Sequence, residues 1–243
     1  MHLIKIFSIL KKIFGSKIEM EDFKKPAKSE LFNKWIGNLD GSSLYETAAA
    51  AAYLGDSSDP DAVEPLLRKA LSSSNWLIQD FAVRALMTLA RKLPEAETAL
   101  SKVNIIEPPE HDRIFEIKQT AESPHIILDF ERGRFSISGK GTGDNESTRS
   151  LFDSVSRELD LFDKMYPHMP LIICLYLKSF DTPFDKELFK MLKRIGLHQE
   201  TIIYWHYEFF GDSITYVGED FEMITGLKFI YVEIPDSGNF SFL

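Results

Sequence analysis

A hydroxyl held between an acid and a proline, Asp181-Thr182-Pro183, follows closely on LIICLYL (171–177), the most apolar run of the 243-residue chain. The run reads as a buried strand, and PFDKELFKMLKRI after it reads as a helix over 183–195. Two kinds of chemistry suit such a junction. Thr182 at N-cap, Pro183 at N1 and Asp185 at N3 have the form of a capping box, and loss of the Thr hydroxyl would then cost about 1 kcal/mol. Alternatively, the hydroxyl accepts a phosphoryl group, which the amides of Phe184, Asp185 and Lys186 and the helix dipole would hold. A phosphothreonine adds about −1.5 to −2 charges, and Asp181 and Asp185 would repel it. A partner that buries the neutral Thr182 would then face an unpaired charge and let go.

Other chemistry finds little footing. SGKGTGD (138–144) has the glycines and lysine of a phosphate loop, but Lys140 is followed by Gly141 rather than a hydroxyl residue, and Gly133 lies one position too far upstream. The stretch is read as a flexible turn. The six histidines (2, 111, 125, 168, 198 and 206) are scattered, without zinc-ligand spacing. No G-x-S-x-G elbow occurs. Asp181 at a strand end resembles a receiver phosphoacceptor, but only Asp129 offers a second acid for magnesium. The expectation is a non-enzymatic chain with no cofactor, no metal and no catalytic residues.

The elements that position Thr182 follow from composition and periodicity. Hydrophobic residues make up 44% and the chain holds 19 Phe, enough for one large core or two smaller ones. Net charge is −9, which argues against nucleic acid. The first thirty residues carry seven Lys against four acids, so a basic arm precedes an acidic body. In HLIKIFSILKKIF (2–14), apolar residues take one helical face and Lys5, Lys11 and Lys12 the other, a pattern suited to an anionic membrane surface, a partner, or the chain's own helices. The single Cys174 permits no internal disulfide and fits a cytoplasmic setting, membrane association resting on the arm alone.

Residues 29–104 read as helical. SELFNKWIG opens at Ser29, YETAAAAAYLGD carries five consecutive Ala, Asp59-Pro60 forms an N-cap and N1 pair, and NWLIQDFAVRALMTLARKL repeats apolar residues at helical spacing. YETAAAAAYLGDSSDPDAVEPLLRKAL followed by IQDFAVRALMTLARK resembles a HEAT-type repeat, with Gln79 where such repeats usually carry Arg. Only about one unit and a half is present, so the lobe needs another surface to complete its core. KVNIIEPPEHD, with Pro108 and Pro109, marks the boundary. Beyond it IFEIKQ, HIILDF and RFSIS are short strands with a turn at Glu131-Arg132-Gly133. Helices over 146–166, 183–195 and 213–224 then alternate with LIICLYL, TIIYWHYE and KFIYVEI.

That second half resembles the SiaC family of bacterial regulatory phosphoproteins. The resemblance rests on FEIKQTAESPHIILDFERGRFSISG, then DNES, LYLKSFDTPFDK, IIYWHYE and VGEDFEMITGLKFIYVEI, in that order. It implies an α/β mixed-sheet domain related to anti-sigma-factor antagonists, and with the HEAT-like all-α lobe the chain is α+β overall. The expected organisation is an arm and linker over 1–28, the helical lobe over 29–104, the SiaC-like domain over 112–235 and a tail over 236–243. In the family, a threonine at the place of Thr182 is phosphorylated by a Ser/Thr kinase of histidine-kinase-like fold and dephosphorylated by a PP2C-type phosphatase. The unphosphorylated form activates a diguanylate cyclase that makes cyclic di-GMP. The resemblance therefore implies Thr182 as phosphosite, with Phe180, Asp181, Pro183, Phe184, Asp185 and Lys186 as the surrounding partner-binding residues. This chain departs from the family in having Asp181 for Asn and Pro183-Phe184 for two Ser. The competing reading is a constitutive HEAT-type protein-interaction scaffold with no phospho-switch.

Overall fold

The computed structural model describes residues 28–107, 113–196, 200–208 and 212–234. The basic arm, its linker, the diproline boundary and the tail lie outside them. Five helices come first: α1 (Lys28–Asn38), α2 (Leu44–Asp56), α3 (Val63–Ser72), α4 (Trp76–Ala90) and α5 (Pro94–Leu100). Side-chain caps set several starts. Ser43 accepts from the Glu46 amide, and Asn75 from that of Leu77. Asp59 caps a single 3₁₀ turn, Pro60–Ala62, that leads into α3. Ser29, expected as a cap, instead lies inside α1.

Six strands follow: β1 (Ile114–Ile117), β2 (His125–Asp129), β3 (Arg134–Gly141), β4 (Leu171–Phe180), β5 (Thr201–Glu208) and β6 (Phe229–Ile234). Three helices connect the later strands: α6 (Asn145–Met165), α7 (Thr182–Ile195) and α8 (Asp212–Thr225). The strands form one sheet in chain order. β1, β2 and β3 are an antiparallel meander, and β3 to β6 are parallel. The meander turns at Gly133, whose φ of +57° suits glycine, and where a Cβ would lie 2.5 Å from the Pro170 carbonyl oxygen. Ser138 to Gly141, expected within a flexible turn, belong to β3. Pairing with β4 supplies their backbone partners, and a register shift between Gly139 and Lys140 absorbs the irregularity.

Both faces of the sheet are covered, which explains why LIICLYL is apolar without alternation. Phe135, Ile173, Ile203 and Phe229 stand in register across four strands and pack with Ile137, Leu175 and Trp205. Phe152, Val155 and Phe162 of α6, Leu188, Met191 and Leu192 of α7 and Phe221 of α8 complete this core. The opposite face presents Ile172, Ile202 and Ile230, which join the core of α2 to α5. Each such isoleucine contributes about 1.5–3 kcal/mol when buried. The helical lobe thus completes its core on the sheet. Its alanine run serves close packing: Ala48, Ala50 and Ala51 are buried, and a Cβ on Gly55 would come within 2.9 Å of the Ala85 Cα.

Gln79, at the position where the repeat pattern has Arg, is buried in α4. Its Nε2 donates to the Ala70 and Asn104 carbonyls at 3.0 and 3.1 Å, and its Oε1 accepts from the Ile106 amide at 2.6 Å. One uncharged side chain therefore ties the segment after α5 back to α3 and α4. Among the described residues no helix is long and apolar enough to cross a membrane.

Candidate functional site

The strand–helix junction is built from the end of β3 upward. The Asp181 amide donates to the Gly141 carbonyl at 3.0 Å, so the last residue of β3 fixes where β4 stops. Asp181 is extended, with φ −103° and ψ 176°. Its Oδ1 accepts from the Phe184 amide at 3.1 Å, and its carbonyl accepts from the Asp185 amide at 2.9 Å. Asp181 is therefore the N-cap, Thr182 is N1, Pro183 is N2 and Phe184 is N3.

This corrects the capping-box reading of Thr182. Asp181 can bond the same free amide and adds a negative charge that complements the helix N-terminus. Asp185 consequently falls one position too late to close a box. The correction extends to the phosphate-holding amides, because the Phe184 and Asp185 amides already have partners in Asp181. Thr182 itself is exposed, and its hydroxyl makes no hydrogen bond among the described residues.

Phe184 is the anchor of the junction. It is 1% exposed, meets Phe152 of α6 edge-on at 5.0 Å between ring centroids, and lies 6.2 Å from the Phe180 ring. A Cβ on Gly141 would lie 2.5 Å from its ring, so glycine is required there by proximity. Phe184 is thus core, and this removes it from the partner-binding residues that the sequence suggested. Phe180, Asp181, Pro183 and Asp185 are partly exposed and Lys186 is exposed. The Asp185 carboxyl is raised above its ordinary range by burial and by Asp220 of α8, with Lys186 opposing. The site is thus an exposed threonine flanked by Asp181 and Asp185, with Asp220 acting on Asp185, above the buried Phe184 ring.

No group of three His, Cys, Asp or Glu among the described residues could hold a metal ion. Asp129, weighed as a second acid for a receiver-type site, is buried and accepts from the Arg132 amide at 3.1 Å. One polar cluster was not foreseen from the sequence. Asp80 of α4 accepts from Arg84 and, across the layers, from Arg134 of β3. Arg84 follows Asp80 by one helical turn, but nothing in the sequence ties either to Arg134.

Residues 117–234 match the family model described as SiaC family regulatory phosphoprotein. This part of the chain is a SiaC family domain, on a mixed sheet whose fourth strand delivers Thr182 to a helix start. Among solved structures, similarity is found to a chain in the crystal structure of the diguanylate cyclase SiaD in complex with its activator SiaC from Pseudomonas aeruginosa. That match has 22% identity and a TM-score of 0.46, and covers 49% of this chain and 99% of that one. Apo-SiaC from the same organism matches at 22% identity with a TM-score of 0.44, covering 49% and 98%. No curated protein matches the chain.

Proposed function

We propose that this protein is a non-enzymatic signalling adaptor in which phosphorylation of Thr182 switches partner binding. The observation that carries the reading is the division of labour at the junction. Asp181 does the capping, so Thr182 is exposed and makes no hydrogen bond among the described residues that modification would break. A kinase can reach the hydroxyl without unfolding α7. The product places about −1.5 to −2 charges next to Asp181 and one helical turn from Asp185, whose carboxyl already feels Asp220. With the nearest helix amides already engaged, that charge stays on the surface, where a docked partner must accommodate it or dissociate.

In this reading the writer is a Ser/Thr kinase of histidine-kinase-like fold, the eraser is a PP2C-type phosphatase, and the output partner is a diguanylate cyclase engaged by the unphosphorylated form. The SiaC–SiaD complex supports the choice of a cyclase as partner. Cytoplasmic location follows from such partners, and membrane contact through residues 2–14 is a separate proposal that liposome flotation with and without the arm would test. The experiment for the switch is a pull-down from native lysate with Thr182→Ala and Thr182→Glu as baits, alongside intact-mass analysis of the native protein. A cyclase, kinase or phosphatase retained by Ala and lost with Glu supports the switch. Identical partners for both baits, with no phosphorylated fraction even when the phosphatase is deleted, would leave a constitutive scaffold.

A further inference from the structure

Between the helical layer and the sheet lies a cavity of about 230 Å³, bounded by α2, α4 and one face of β3 to β6. The helices present small residues to it. Ala48, Ala52 and Gly55 of α2 and Ala85 of α4 line one side, and Ile172, Cys174, Tyr204 and Val232 of the strands line the other. Asp56 and Met87, both exposed, mark where it opens to solvent. Cys174 and Tyr204 belong to β4 and β5, inside the six-stranded sheet, yet both keep accessible surface because the cavity reaches them.

The charges of the lining cancel. Arg84 of α4 and Arg134 of β3 are matched by Asp56 and Asp80. Arg84 Nε and Arg134 Nη2 both donate to the same oxygen of Asp80. Arg91, at the rim, has an interaction of its own and supplies no spare charge. His206 is neutral, its pKa pushed down to about 3 by burial first and then by Arg84. One donor is left over. The Tyr204 hydroxyl makes no hydrogen bond among the described residues, and burial, with Cys174 and Asp80, holds it well above its ordinary titration range. It is therefore a donor at any physiological pH. Enclosed donors without acceptors are rare, and an apolar cavity with a few polar groups is the usual form of a small-molecule site.

We infer that this interlayer cavity binds a small neutral molecule, an apolar body of about one aromatic ring whose single oxygen accepts from the Tyr204 hydroxyl. A charged ligand would find no counter-charge to spare. Either sign would leave one unpaired charge between the layers, where it is poorly solvated. The apolar body suits the alanines, Ile172 and Val232, and the oxygen gives Tyr204 the acceptor that the protein does not. The site is separate from Thr182, yet Ile172 and Cys174 belong to the strand that ends at the junction.

The test uses the full chain at about pH 8, where Asp56, whose carboxyl burial raises to about 6, is ionised. Benzyl alcohol, toluene, benzoate and benzylamine, similar in size and different in charge and hydrogen bonding, are titrated by ligand-observed NMR. Benzyl alcohol is expected to bind with a Kd of about 1 mM, within the range for about eight non-hydrogen atoms. Benzoate and benzylamine should each bind at least about tenfold more weakly. Tyr204→Phe should weaken benzyl alcohol by about three- to tenfold and leave toluene unchanged. Ala52→Leu, which fills the cavity, should abolish binding of both. Four results would each overturn the assignment. They are a charged probe that matches benzyl alcohol, an alcohol affinity that Tyr204→Phe does not lower, undiminished binding in a folded Ala52→Leu protein, and no binding of benzyl alcohol at ~10 mM. The wild-type comparison needs no variant to fold.

Discussion

Replacing Asp181 by Ala should damage the fold, and replacing Thr182 by Ala should not. Asp181 supplies the one side-chain bond at the start of α7, to the Phe184 amide at 3.1 Å. Loss of an N-cap of this kind costs about 1 kcal/mol, within a range of roughly 0.5–2. For a chain of this size, that lowers the melting temperature by about 2–4 °C. Thr182 makes no hydrogen bond among the described residues, so its substitution stays within about 0.5 kcal/mol, and the better helix propensity of Ala pushes the other way. Asp181→Asn separates the two parts of the cap. It keeps an acceptor oxygen and loses the charge, so it should cost only the roughly 0.3–1 kcal/mol of the charge–dipole interaction. The assay is urea unfolding of the three variants and wild type by circular dichroism. Equal losses for Thr182→Ala and Asp181→Ala, or no loss for Asp181→Ala, would refute the cap assignment. It would also remove the argument that Thr182 is free to be modified.

Three further outcomes follow from geometry on the other elements. Gly141→Ala sets a methyl group against the Phe184 ring and should destabilise by about 1–3 kcal/mol, with partial rescue by Phe184→Leu in a double-mutant cycle. Additive losses would mean that the two do not press on each other. Gln79→Leu removes the bonds to Ala70, Asn104 and Ile106. A loss of about 2 kcal/mol is expected, with faster exchange of the Ile106 amide, and unchanged exchange would count against the tie. His206 has its pKa pushed down to about 3, by burial first and then by Arg84, from an ordinary 6.5. Its neutral form is the one that fits, so its contribution is whole above pH 6.5 and is lost as the pH falls toward 3. At about pH 5 roughly 2 kcal/mol should be gone, and His206→Gln should flatten that acid limb. An unchanged slope in the variant would exclude His206 as its source.

The elements were legible because their periodicities are clean. The switch from helical spacing to strands after residue 112, the cap at Asp59 and all three later helices are in the sequence within a residue or two. Asp144 accepts from the Ser147 amide at 2.7 Å to cap α6. What escaped was decided by competition between neighbours or by distance along the chain. Asp181 and Thr182 both belong to the set of capping residues, and spacing alone does not say which will turn toward the free amide. Phe184 looked like a surface residue beside a phosphosite, but Gly141 lies 43 positions earlier and leaves room for its ring. The Asp80–Arg134 pair spans 54 positions, and no local pattern signals it. The family resemblance singled out Thr182 as the candidate, while the roles of its neighbours depend on packing.

The parallel strands run in chain order, and the three helices that connect them lie together on one side of the sheet. Such a winding protects one surface and leaves the other bare. Here Ile172, Ile202 and Ile230 on that second surface are roofed by α2 to α5. The SiaC family domain of this chain is therefore not a portable part. Transplanted alone, it would carry an oily underside into water, and a graft or truncation at the boundary must take the helices along or recolour those three isoleucines.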